Sequence, residues 1–258
     1  MKYFDLTHTF KLPLPVYPGE AEPTFVNTTS IEANGYIDIE VTTGLHVGTH
    51  IDAPAHMIAG GKLLSDYLLD RFIGRGVLVD ARGKTHINHD LLRHVELKPD
   101  DIVLVLTGWS KYYRSAPDVI LDRKVASATA QDQGSRNTWI PDPALRPVGN
   151  DTSKKNYFNN YPIMEESFAE KLIDAQVSML GIDTPSPDQF INNEELEKRR
   201  SNSGLYPIHH LLLEADILIT ENLNNLEQLA NAKEFEVIAL PTKFAADAAP
   251  TRVIARVT

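Results

Sequence analysis

No cysteine occurs anywhere in the 258 residues. Disulfides, thiolate nucleophiles and cysteine-ligated zinc are therefore excluded, and any metal would have to be held by nitrogen and oxygen. Apolar runs of membrane-spanning length are also missing, and the opening MKYFDLTHTF carries Asp5 and His8 where a signal peptide needs an unbroken hydrophobic stretch. The expectation is a cytoplasmic chain without a membrane partner. Positive charge is scarce: 25 Lys and Arg stand against 35 Asp and Glu, a net charge of -10. Nucleic acid is thus not an expected partner, because a phosphate backbone rewards clustered cations. The densest basic cluster, EKRRS at 197–201, fits a solvated helix end.

What is present is an ordinary globular composition, 42% hydrophobic and 23% charged, enough for a sizeable core in one domain over 1–258. KYFDLT predicts a short strand, and YIDIEVTTG (36–44) alternates Ile37, Ile39 and Val41 with polar neighbours, as a half-buried strand does. GVLVDA (76–81) and DIVLVLTG (101–108) are apolar, β-branched runs suited to central strands covered on both faces. Between them NHDLLRHV predicts one or two helical turns with Asn88 as N-cap. Later, helices over 164–176 and YPIHHLLLEAD alternate with strands at VSMLGID and ILITEN, and EVIALPTK and TRVIARV add two more. The fold class is α/β with a mixed sheet. One segment, 115–156, is polar and without periodicity, and is expected to be an insertion at the mouth of a pocket or in a subunit interface.

The chemistry concentrates in GLHVGTHIDAPAH, residues 44–56. His46, His50, Asp52 and His56 all carry even numbers, so an extended backbone would project them from one face. Three imidazoles and a carboxylate are natural ligands for zinc or manganese in a cysteine-free chain, and so many such groups on an apolar strand would carry a desolvation cost that a metal relieves. Gly48 lets the backbone bend between His46 and His50, and Pro54 ends the strand and aims His56 separately. His8, His86, His89 and His94 are isolated and are expected to be structural.

HVGTHIDAPAH resembles the HxGTHxDxPxH motif of the cyclase-like metal-dependent hydrolases, the superfamily of bacterial kynurenine formamidase and isatin hydrolase. The likeness extends to FDLTHTF, PVYPGE, LTGWSKYY, GIDTPSPD, HHLLLEADILITENL and VIALPTKFAADAAPTRVIARV. It implies a swivelling β/β/α fold and one or two divalent metals, zinc or alternatively manganese. His46 and His50 would bind one ion, Asp52 would bridge, and His209 and Glu221 would complete a second site, with His56 as proton donor and acceptor. Tyr17 would bind substrate, standing where formamidases carry a Trp. Asp183 in GIDTPSPD could support ligands or merely cap a turn. His210, beside His209 on the same helix, points about 100° away and is expected to be structural.

The implied activity is hydrolysis of the amide bond of a small N-formyl aryl amine or cyclic amide by metal-activated water. The alternatives are an isatin hydrolase-like lactam-opening enzyme, a biosynthetic cyclase or dehydratase, and a metal-binding protein without turnover. A homodimer or homotetramer is implied with it.

Overall fold

The computed structural model describes residues 1–113, 157–191 and 205–257. The 115–156 segment and the basic cluster at 197–201 lie outside the described residues. Strands in the first half are β1 (Lys2–Asp5), β2 (Thr24–Asn27), β3 (Ile39–Thr42), β4 (His50–Asp52), β5 (Ile73–Asp80), β6 (His86–Ile87) and β7 (Ile102–Leu106). The second half adds β8 (Ile163–Met164), β9 (Met179–Ile182), β10 (Leu218–Glu221), β11 (Phe235–Pro241) and β12 (Ala248–Val257). Among the described residues helices are few: α1 (Ile31–Asn34), α2 (Glu166–Asp174) and α3 (Pro207–Glu214). Among the described residues no helix is long and apolar enough to cross a membrane.

Eight strands form one mixed sheet in the order β1, β12, β11, β5, β7, β9, β10, β4. β5, β7, β9 and β10 run parallel, while β11, β12 and β4 pair antiparallel with their neighbours. β4 also pairs with the start of β12, Ala248 to Pro250, so the sequence of pairings returns on itself. Closure of this kind leaves β4 without a free edge.

The apolar runs work on both faces. In β7, Ile102, Leu104 and Leu106 point into an inner core with Ile51, Leu218, Val237 and Ala255. Val103 and Val105 point the other way, against Phe168 and Leu172 of α2 and Ile208 and Leu212 of α3. The period of two places alternate residues in opposite cores, which explains why these strands are apolar throughout. Each such side chain, fully buried, contributes about 1.5–3 kcal/mol of transfer free energy. A third, aromatic cluster of Tyr113, Tyr157 and Phe158, with Tyr17, Trp109 and Phe190 against it, lies apart from these two.

The expected strand over 36–44 is corrected in extent and burial. It is only Ile39–Thr42, and Ile37, Ile39 and Val41 are 55%, 48% and 47% exposed. Among the described residues β3 pairs only with β2, in a ribbon outside the main sheet, so alternation here marks an apolar face that those residues do not cover.

Candidate active site

β4 sets the site. Ile51 is fully buried in the inner core, so His50 and Asp52 on either side of it point to the opposite face, which α3 covers. β10 is registered with Glu221 across from His50 and Ile219 across from Asp52. Glu221 therefore arrives as the cross-strand neighbour of His50. His50 Nε2 lies 3.4 Å from Asp52 Oδ1 and 3.5 Å from Glu221 Oε2.

α3 brings the next imidazole. Pro207 occupies its first turn, and Ile208 and Leu212 bury against the sheet. His209 Nε2 thereby lies 3.3 Å from Glu221 Oε1 and 3.8 Å from Asp52 Oδ2. Asp188 holds this arrangement from outside the helix: its carboxylate accepts the backbone N–H groups of Ile208 (2.9 Å) and His209 (3.0 Å) and stands 2.6 Å from His209 Nδ1. A carboxylate at a helix N-terminus satisfies two donors that have no partner within the helix. Because it can only accept, it also fixes the proton of His209 on Nδ1 and leaves Nε2 turned to the site.

His50 is oriented by the same logic. Its Nδ1 donates to the carbonyl of Gly48 at 2.8 Å, and Asn222 Nδ2 donates to that carbonyl at 3.0 Å. Tyr157 in turn donates its hydroxyl to Asn222 Oδ1 at 2.7 Å. Gly48 sits at φ +75°, the left-handed region, with the Phe10 ring 3.2 Å from where a Cβ would be. The chain is thus not extended over 46–56: only His50 and Asp52 share a strand face, His46 precedes the Gly48 bend, and His56 sits in a 3₁₀ turn begun by Pro54. His46 and His56 nonetheless converge, their rings 4.0 Å apart, with His46 Nδ1 2.8 Å from Asp52 Oδ1.

The donor set fits a divalent cation. His50 Nε2, both Asp52 oxygens and Glu221 Oε1 are buried and have no partner in hydrogen-bonding geometry. Buried polar atoms are rarely left so, and here lone pairs and negative charge point at one another. His46, Asp52 and His56 form one group whose ligand atoms lie within 4.8 Å of one another, and His50, Asp52 and Glu221 form another, Asp52 being common to both. Nitrogen and carboxylate oxygen suit zinc or manganese.

The charges show the same demand for a cation. Burial opposes a charged ring at His50 and His209, but the carboxylates around them prevail and raise both. His46 behaves likewise, and Asp52 and Asp247 bring it up to about 9. Burial would raise Asp52, yet His50 and His46 hold it well below the usual carboxylate range. Glu221 is raised by burial and by Asp52. His56 differs, because burial lowers it and the neighbouring His46 and His209 add to that. His56 is therefore the neutral imidazole of the set at pH 7.

A cavity of about 190 Å³ opens over these groups, lined by Tyr17, His56, Met57, Phe158 and Tyr206 among others. Tyr17 packs against Phe158 and Phe190, at ring separations of 5.6 and 5.2 Å, and its hydroxyl lies 3.5 Å from that of Tyr206.

The family model named Cyclase matches residues 4–189. The chain belongs to the cyclase family. It is 28% identical over 261 residues to the kynurenine formamidase of Salinibacter ruber, covering 99% of this chain and 98% of that protein. To the kynurenine formamidase of Bacillus cereus it is 23% identical over 257 residues, covering 99% and 97%. Isatin hydrolase A from Labrenzia aggregata, solved with benzyl benzoate, superimposes with a TM-score of 0.70 at 21% identity, covering 100% of this chain and 94% of that one. The mixed sheet with few helices is thus the fold of the cyclase family.

Within this cyclase-family site the sequence reading missed two aspartates. Asp183, the one weighed in GIDTPSPD, accepts from Thr107 N, Thr107 Oγ1 and Gly108 N at 2.8, 2.5 and 2.8 Å, tying β9 to the end of β7 rather than supporting a ligand. Asp188, five residues on, takes that part, and only its place before the proline-started helix could have hinted at it. Asp247 carries no local signal in the sequence; it stands 3.0 Å from His46 and 3.2 Å from His56. His86, His89 and His94 lie on the surface, and His8 stacks on Tyr113 with ring centres 3.7 Å apart.

Proposed function

We propose that the chain is a metal-dependent hydrolase that cleaves the amide bond of a small N-formyl aryl amine or cyclic amide. One observation carries the reading: buried, unpartnered ligand atoms of His50, Asp52 and Glu221 gather beside His56 at the floor of an aromatic-lined cavity. The names of the family relatives support it. His46, His50, Asp52, His209 and Glu221 are the residues that would hold one or two zinc or manganese ions. A divalent ion bound there supplies Lewis acidity, polarising a carbonyl and making water a competent nucleophile at neutral pH.

The rest of the work falls to this chain. Tyr17, Phe158 and Tyr206 offer an aryl ring apolar walls and exclude water from the reacting carbonyl. His56, neutral because it is buried, accepts the proton of the attacking water. As the carbon–nitrogen bond breaks it returns that proton to nitrogen, which departs as an amine from an N-formyl substrate and stays tethered to the new acid in a lactam. Ligand pockets for drug-sized molecules run to about 300–1,000 Å³, so a cavity of about 190 Å³ selects a small substrate. That size, with Tyr17 tied to Tyr206, favours a compact bicyclic lactam as the second reading.

The test is metal analysis of protein purified without chelators, followed by a panel of N-formyl aryl amines, isatin-type lactams and lactones with added zinc or manganese. Turnover of an amide that EDTA abolishes is expected, and His56→Ala should lose about 10²–10⁴-fold in rate with its metal content intact. Metal-free protein without turnover, turnover confined to non-amides, or loss of metal from His56→Ala overturns the reading.

A further inference from the structure

We propose that Asp247 is the positioning residue that fixes the ring protons of both His46 and His56, an assignment that rests on the hydrolase reading above. A single carboxylate oxygen, Oδ2, lies 3.0 Å from Nε2 of His46 and 3.2 Å from Nδ1 of His56. A carboxylate accepts and does not donate, so the nitrogen of each ring that faces it carries hydrogen. The consequence is opposite for the two rings. His46 keeps Nδ1 for the ligand group: without an ion that nitrogen donates to Asp52 Oδ1 at 2.8 Å, and with one bound there it would give up that hydrogen and offer its lone pair. His56 is left with its lone pair on Nε2, the nitrogen that remains to act in the cavity His56 lines.

The carboxylate is held where this requires. The backbone carbonyl of Asp247 accepts from Ala53 N at 2.8 Å, and that of Ala246 accepts from Leu64 N at 3.0 Å. The next residue, Ala248, stands in register with Asp52. Asp247 is thus fastened to the segment that carries both of its targets. The two rings, 4.0 Å apart and inclined by 34°, cannot turn independently. The Asp247 side chain is 37% exposed, so it stays charged without a further partner, while an imidazole freed of it has no reason to keep its proton on Nδ1.

The test reads tautomers directly in zinc-loaded protein labelled with ¹⁵N-histidine, by long-range ¹H–¹⁵N correlation. Wild type should show His56 protonated on Nδ1, and Asp247→Ala should move that proton to Nε2. Asp247→Asn, whose amide oxygen can take the same two N–H groups, should keep the wild-type pattern. Zinc affinity should fall about 10–100-fold in Asp247→Ala and recover in Asp247→Asn. On any substrate the panel yields, kcat should fall by a similar factor with KM changed less than about threefold. The spectra need no substrate, so the hydrolase reading can fail while this assignment stands. A wild-type His56 protonated on Nε2 overturns it whatever the variants do, as does Asp247→Ala with both rings unchanged.

Discussion

Glu221 faces His50 across β10 and β4 in direct register, with Oε2 3.5 Å from Nε2 and Asp52 in the same buried group. Burial and the charge of Asp52 raise Glu221 above its ordinary value. An acid whose folded pKa is raised loses stability as pH climbs through its unfolded value, so at pH 7 Glu221 is a cost to the ion-free chain. With a cation bound the same charge becomes a benefit. Glu221→Gln should therefore raise the melting temperature of EDTA-treated protein, by about 2–4 °C for each kcal/mol relieved. It should lower that of zinc-saturated protein, each tenfold loss of affinity removing about 1.4 kcal/mol of linked stability. Paired thermal melts decide, and a shift of the same sign in both would refute the cation-facing role.

Asp188 joins the start of α3 to the ring of His209. Asp188→Ala should lose about 1.5–3 kcal/mol from its charge-assisted hydrogen bonds, with about 1 kcal/mol more from uncapping α3. Zinc affinity should drop about 10–100-fold, because His209 is no longer oriented. Urea unfolding and zinc titration measure the two effects, and unchanged zinc affinity would show that His209 is positioned otherwise.

How much of this was legible beforehand depends on range. β5, β7, β9 and β10 were visible because both of their faces are apolar, a property written locally in runs such as Ile102 to Leu106. His50 and Asp52 were visible because two residues apart on a strand means one face. The pairing of residue 50 with residue 221 is a contact between distant segments, and only family resemblance suggested it. Asp188 and Asp247 were invisible for a simpler reason. Each is one aspartate in a loop, and no local pattern states what a loop carboxylate will face. Alternation at Ile37, Ile39 and Val41 likewise reports an apolar face, not whether anything covers it.

His8 should govern part of the acid sensitivity. Burial lowers it to about 4, so the folded chain keeps it neutral while the unfolded chain protonates it near pH 6.5. Stability should consequently fall as pH drops from about 6.5 towards 4, where the loss is complete. His8→Phe, which preserves the stack on Tyr113, should flatten that part of the profile. Denaturant midpoints measured from pH 7 to pH 4 test this, and equal slopes for the two proteins would exclude His8 as the cause.

Gly61 backs directly onto the turn that carries His56. A Cβ there would meet the backbone of Pro54 and Ala55 at 2.6 and 2.7 Å, and backbone cannot swing aside. Gly61→Ala should cost about 1–3 kcal/mol and displace His56, lowering kcat while bound metal stays near wild type. Metal analysis beside kinetics separates this from general misfolding, which would lose both together.

The double pairing of β4, with β10 on one side and Ala248–Pro250 on the other, also bears on how the chain matures. His50 and Asp52 are made well before the strand that flanks them on one side, and Asp247 beside it follows His46 by 201 residues. Loop closure over such separations is slow, so the ligand cluster should be among the final features to organise. A partly synthesised chain would present its histidines unscreened and in no fixed geometry, with little selectivity among metals. On the proposed reading, competence to choose an ion would thus be acquired when β12 docks, and ion capture would report that the sheet has closed.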